Sequence, residues 1–305
     1  MTYSIVARDP DTGHVGVASQ SHYFGLGRVV PWAVAGVGVV ATQSFVLPSY
    51  GPDGLAKMRA GSPASQALKE LVDADAERGL RQVAMIDCAG DKAAFTGDRC
   101  VPCRGSASSA NAIALGNMLA SDDCYHAMIA AFEASGGALW DRMLDALDAA
   151  EAEGGDIRGR QSAAMKVVGG QVGAAPWDNV LVDVRLDDHV APLTELRRLV
   201  GLDRANRVLA ESVFTPGLLS GAAAVTGTEL EAAVAALDAA QAAIGDDPET
   251  TLWKGVLLLR AGEREPARTA LAWALERRPS MRAFLRGLAE TGIVPAAYES
   301  VLPDE

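Results

Sequence analysis

Strand signals in this chain come as hairpins and helix signals come as pairs, and that order constrains the fold more than any other feature. Tyr3–Arg8 and His14–Ser19 read as strands joined by the turn-rich link Asp9-Pro10-Asp11-Thr12-Gly13. Val34–Gln43 reads as a third, nearly continuous apolar strand carrying Gly36 and Gly38. Tyr50–Ala60 and Ser62–Glu77 read as helices, the second with Ser62 as N-cap and Pro63 at its first position. Arg81–Cys88 and Lys92–Thr96 form another hairpin around Ala89-Gly90-Asp91. Ala110–Leu119 reads as a strand, Asp122–Ala134 and Leu139–Ala152 as Ala-rich helices, and Gln161–Val168 and Val180–Leu186 as strands. Hairpins next to hairpins make antiparallel sheets, and paired helices must cover an apolar face. The expectation is an α+β fold, with two sheets face to face and a helical layer outside each. That is a four-layer αββα sandwich over residues 1–205, followed by an α-helical region over 206–305.

Composition supports a packed interior, with 49% hydrophobic and 22% charged residues in 305. No run of 18 apolar residues is free of charges and breakers, so no membrane span is expected. The formal net charge of −12 argues against nucleic acid and anionic membranes as partners. The first residues lack the basic segment and apolar core of a signal peptide, so a cytoplasmic location is expected.

The chain begins Met1-Thr2-Tyr3-Ser4 at the head of the first strand. Removal of Met1, common before a residue as small as Thr, would leave a hydroxyl and a free α-amine on Thr2. Such a residue can be nucleophile and base together. The amine's ordinary pKa of about 7.7–8.0 leaves a useful neutral fraction near pH 7. Against this stands the plain reading of Thr2 as a strand residue, which Thr favours. Ser4 lies on the same strand face and would orient Thr2 or replace it.

Scattered short motifs then carry a resemblance. Thr2 to Asp9, Gln20-Ser21-His22, Val30-Pro31-Trp32-Ala33 and Ala41-Thr42-Gln43 come first. Arg81-Gln82-Val83, Gly116-Asn117-Met118-Leu119, Arg158-Gly159-Arg160-Gln161-Ser162-Ala163 and Arg185-Leu186-Asp187-Asp188-His189 follow in order. Together they resemble the bacterial family known as domain of unknown function 1028, over roughly residues 2 to 200. The resemblance implies the fold of the N-terminal-nucleophile (Ntn) hydrolases, and it puts a hydroxyl, that of Thr2, at the attacking position. Fold alone does not fix function.

Several side chains are candidates for the rest of a site. Ser21 and His22 are a nucleophile and base pair in local sequence, although neighbours on a strand point to opposite faces and need a bend to meet. Asn117, at the end of a strand, is a candidate oxyanion donor. Arg158 and Arg160 flank Gly159 and can clamp a carboxylate, or else join a salt-bridge network with Asp156, Asp187 or Asp188. Gln161, Gln43, Asp188 and His189, from the family motifs, complete the substrate-binding candidates. Asp187-Asp188-His189 lacks metal-site spacing and equally fits capping of a helix over Leu193–Val200. No metal and no cofactor are expected. Cys100-Val101-Pro102-Cys103, followed by Arg104-Gly105-Ser106, reads as two thiols in a loop.

Past residue 206 the chain is Ala-rich and helical, with Gly217, Gly221, Gly227 and Gly245 as breaks. Glu249 to Pro279 resembles one tetratricopeptide-type helical hairpin, in which Gly255, Gly262, Ala267 and Leu271 stand at small and apolar positions. Trp253 and Trp273 read as core. The functional expectation is a hydrolase of a small amide, ureido or peptide-like bond, acting as a homo-oligomer. The rival is a non-catalytic binding protein on the same scaffold, its C-terminal helices docking a partner or second subunit.

Overall fold

The computed structural model describes residues 2–171, 179–214 and 227–302. Met1, Gly217 and Gly221 lie outside them. The chain divides into two compact units, Met1–Leu199 and Val200–Glu305.

The first unit is α+β, built on two antiparallel sheets. Its strands are β1 (Thr2–Arg8), β2 (Val15–Ser21), β3 (Pro31–Val34), β4 (Gly38–Ser44), β5 (Arg81–Asp87), β6 (Lys92–Thr96), β7 (Gly105–Ser108), β8 (Ala112–Asn117), β9 (Ser162–Val168) and β10 (Val180–Leu186). Six of them form one sheet in the order β10-β9-β2-β1-β8-β7, and four form the other in the order β3-β4-β5-β6. The helices are α1 (Tyr50–Arg59), α2 (Ala64–Ala74), α3 (Asp123–Ala134) and α4 (Leu139–Ala152). The first pair packs on β4, β5 and β6, and the second on β8, β1 and β2. In α4 the buried Leu139, Met143, Leu147 and Ala150 recur at helical spacing and face the sheet.

Between the sheets lies an apolar layer drawn from alternate strand positions: Val6, Val17, Val39, Ala41, Ala84, Ile86, Ile113 and Leu115. Each set continues along its strand toward one end, and there it turns polar. Val6 is followed on the same face by Ser4 and Thr2, Val17 by Ser19 and Ser21, Ala41 by Gln43, Ala84 by Gln82, and Leu115 by Asn117.

Three local readings of the sequence are corrected. The stretch read as one strand over Val34–Gln43 holds the end of β3, a turn and most of β4, two strands paired as a hairpin. Gly36 turns at φ +69°, and a side chain on Gly38 would strike the Ile86 carbonyl at 2.4 Å. Gly105 and Ser106, read as loop, open the edge strand β7 on β8, which itself begins at Ala112. Its alternation of Ser with small residues leaves little hydrophobic signal. Ser62 does not cap α2. Pro63 holds that position, and the first amides go instead to Asp87 Oδ2 (from Ala64, 3.2 Å) and Asp91 Oδ1 (from Ser65, 2.7 Å) of the β5–β6 hairpin. A cap supplied by a distant hairpin leaves no local pattern to read.

The next helix, α5 (Pro192–Phe214), crosses the division between units. The second unit continues with α6 (Gly227–Ile244), α7 (Glu249–Arg260), α8 (Arg264–Arg277) and α9 (Met281–Glu290). Helices α7 and α8 form a hairpin turned at Gly262, φ +86°. Gly255 lets the Leu271 side chain lie against α7, where a Cβ would sit 2.7 Å from Leu271 Cγ. Trp253 is buried edge-on to Phe284, and Trp273 is half-buried under the Arg277 guanidinium.

Candidate functional site

The polar end of the inter-sheet layer holds Thr2. Thr2 opens β1 between β2 and β8, with Asn117 as its partner across the β1–β8 ladder. Its hydroxyl donates to Ser21 Oγ at 3.1 Å, and the pair is buried. The Thr2 carbonyl accepts from Gln43 Nε2 at 3.0 Å and, more weakly, from Asn117 Nδ2 at 3.4 Å. Three of the candidates, Thr2, Ser21 and Asn117, thus meet directly, and Gln43 reaches them from the facing sheet.

Ser4 serves the neighbouring amide rather than Thr2. Its hydroxyl donates to Gln43 Oε1 at 2.5 Å and bonds Ser19 Oγ at 2.8 Å. Gln82, which the sequence reading left unassigned, sits at the centre: its oxygen accepts from Gln43 at 2.8 Å and Asn117 at 2.9 Å. The signal for it was its parity with Ala84 and Ile86, which makes it a buried amide in an otherwise apolar register. Buried polar groups that meet this way must be satisfied in full or they cost more than an apolar core.

Backbone strain falls at the same place. Among the described residues the non-glycine positions at positive φ are Ser44 (+73°), Cys103 (+52°) and Met118 (+54°). Ser44 follows Gln43 and Met118 follows Asn117, so the two amides that reach Thr2 each precede a left-handed residue. Strain of this kind persists only where the surroundings over-determine it, and it collects at functional sites.

The remaining candidates lie outside this cluster. His22 is exposed. Its backbone N–H donates to Asp156 Oδ2 at 2.8 Å, and its Nδ1 lies 3.4 Å from the Arg160 carbonyl. Ser21 turns inward to Thr2, so the two neighbours keep to opposite faces and no bend joins them as nucleophile and base. Arg158 closes on Asp156, whose side chain is fully buried. Arg160 pairs with Glu151 of α4, a partner that the sequence reading did not name. Glu151 also accepts from Tyr3 at 2.5 Å; burial, then the Glu151 charge, pushes the Tyr3 hydroxyl well above its ordinary range. Both guanidinium groups therefore face internal carboxylates. Gln161 donates to Asp188 at 3.1 Å, and the Gln161 carbonyl accepts from His189 N at 2.7 Å. His189 Nδ1, not an aspartate, takes the Ala191 N–H just ahead of α5. Gln161, Asp188 and His189 tie loops together. Among the described residues no group of three or more His, Cys, Asp or Glu is arranged to hold a metal.

Among the described residues, the loops at this end of the first unit also carry its exposed large apolar side chains. Tyr23 and Phe24 follow β2, Phe45 follows β4, Ile157 lies in the loop bonded to Met118, and Val190 follows β10. The thiols lie elsewhere in environment: Cys100 is buried and donates to the Arg81 carbonyl, and burial pushes Cys88 up to about 11. All four cysteines are free.

Residues 2–196 match the family described as a family of unknown function, DUF1028. The chain belongs to the DUF1028 family. A crystal structure of a DUF1028 protein from Silicibacter pomeroyi is 34% identical, with a TM-score of 0.58 over 65% of this chain and 87% of that one. No curated protein matches. The DUF1028 match ends at residue 196, near the division between the two units. No helix among the described residues is long and apolar enough to cross a membrane.

Proposed function

We propose that this DUF1028 protein is an amide hydrolase of the N-terminal-nucleophile type, with Thr2 as nucleophile. The layers, helix pair, sheet, sheet, helix pair, correspond to the αββα sandwich of those enzymes. The observation that carries the reading is the placement of Thr2. Its hydroxyl and carbonyl lie at the polar end of the inter-sheet layer, held by Ser21 and by two side-chain amides, each followed by strained backbone.

The chemistry follows from those groups. With Met1 removed, the Thr2 amine takes the proton from its own Oγ as Oγ attacks the amide carbonyl. Asn117, whose 3.4 Å bond is its looser one, turns an N–H to the developing oxyanion. The amine returns the proton to the leaving nitrogen, and water then opens the ester on Thr2. Ser21 Oγ holds the hydroxyl in place beforehand. The substrate class follows from what surrounds the site. The arginines are committed to Asp156 and Glu151, whereas Tyr23, Phe24, Phe45, Ile157 and Val190 are exposed. An amide bearing an apolar or aromatic group fits this rim better than one with an anionic end.

Intact-mass spectrometry of the purified protein tests the first requirement, and a panel of acyl and aromatic amides tests the second. Thr2→Ala should cost stability only the roughly 1 kcal/mol of one buried hydrogen bond while hydrolysis falls by orders of magnitude. Retention of Met1, or a fully active Thr2→Ala protein, would refute the mechanism and favour a binding role for the cluster.

A further inference from the structure

A side-chain amide has two ends of similar shape and opposite hydrogen-bonding character, so something must decide which end faces where. Three amides meet beside Thr2, and one of them has no freedom. Gln82 Nε2 lies 2.8 Å from the Gly116 carbonyl, 3.1 Å from the Gly105 carbonyl and 3.0 Å from Thr96 Oγ1. Carbonyls only accept, so the NH2 end must be there. Its oxygen is thereby set on the opposite side, where it meets one atom each of Gln43 and Asn117. Both must present NH2 to it. Reversing Gln82 would set oxygen against two carbonyls and NH2 against two NH2 groups.

We propose that Gln82 is a positioning residue, which transmits the fixed polarity of two backbone carbonyls to Gln43 and Asn117 and so decides which end each amide turns to Thr2. The direction runs on from there. Gln43 spends its second N–H on the Thr2 carbonyl, which leaves its oxygen to accept from Ser4, and Ser4 having given its proton must accept from Ser19. Donors therefore run Ser19 to Ser4 to Gln43 to Gln82 to the β7 and β8 carbonyls, crossing between the sheets twice. The same lock leaves Asn117 Oδ1 buried with no hydrogen bond from the described residues. That acceptor suits an N–H donor, such as the amine of a trimmed Thr2 or a substrate amide. The orientation stands on geometry alone; its use in catalysis rests on the hydrolase reading.

The test uses the full chain carrying 15N in Gln and Asn side chains, with Gln82→Met and Gln82→Glu variants. Side-chain NH2 exchange is followed by NMR. In Gln82→Met the Gln43 and Asn117 side chains should exchange about five- to tenfold faster, the factor that goes with one lost hydrogen bond, while the β4 and β8 backbone amides stay protected. Gln82→Glu should be rescued when neutral, its O–H donating to Gly116 and its carbonyl accepting both amides. An ionised carboxylate would face two carbonyl oxygens, so the folded state raises this pKa. Protection and stability should then be near wild-type at or below about pH 4.3, the ordinary glutamate value, and fall steadily as pH rises toward 8, a slope absent from the wild type. Unchanged Gln43 and Asn117 exchange in folded Gln82→Met, or a pH-independent Gln82→Glu, would overturn the proposal. If Gln82→Met does not fold, the pH dependence of Gln82→Glu decides. No substrate enters these measurements, so loss of the hydrolase reading through a retained Met1 would leave this proposal standing, and its own failure would not touch that reading.

Discussion

Ser44→Gly is expected to stabilise the first unit, against the usual direction of a change in a strand. Ser44 is held at φ +73° at the end of β4, a region that costs an L-residue about 1–2 kcal/mol. Glycine adopts it freely but brings about 0.5–1 kcal/mol of extra unfolded-state entropy, so the backbone gain is about 0.5–1 kcal/mol. The Ser44 hydroxyl is also buried without a hydrogen bond among the described residues. Deleting it relieves roughly another 0.5–1 kcal/mol of unmatched desolvation. The sum is about 1–2 kcal/mol, and at about 2–4 °C per kcal/mol for a unit of this size the melting temperature should rise by about 2–8 °C. Differential scanning calorimetry reads that shift, and hydrogen exchange of β4 amides assigns it to this unit. Activity should fall, because Gln43 loses the rigid residue that follows it and aims it at Thr2. An unchanged or lower melting temperature would refute the claim that strain is stored here.

Three further outcomes follow from the structure. Gly51→Ala should destabilise the first unit by about 1–3 kcal/mol in urea titration, because its Cβ would lie 2.3 Å from Trp32 Cγ and the Trp32 N–H is tied to the Val29 carbonyl. His14 has its pKa lowered by burial, Asp9 opposing, so it folds neutral. Its contribution is complete above the ordinary value of about 6.5 and is lost as pH falls, and His14→Asn should flatten that acid limb of the stability curve. Arg160→Lys should leave amide-substrate affinity unchanged and alter stability by under about 1 kcal/mol, since the half-exposed Arg160 answers to Glu151; a clear loss of affinity would restore the carboxylate clamp.

Much of the architecture was legible because it rests on periodicity. The β1–β2 and β5–β6 hairpins, helices α3 and α4, and strand β10 stand where alternation and helical spacing put them. What was not legible depended on partners far away in sequence. The break at Gly36–Gly38 is imposed by the close approach of β5, β7 is recognisable only beside β8, and the cap of α2 arrives from Asp87 and Asp91.

The site divides along the same line. By itself the sequence determined that Thr2 heads a strand, that Ser4 shares its face and that Asn117 ends another strand. Those are consequences of two-residue alternation along single strands. Only the tertiary structure decided that Ser21 would meet Thr2 while His22 turned to solvent, that Arg160 would find Glu151, and that Gln82 would stand between Gln43 and Asn117. The reason is that a buried amide is satisfied only by whatever the opposite sheet brings to it, and the identity of that partner is a property of how two sheets stack, not of either strand.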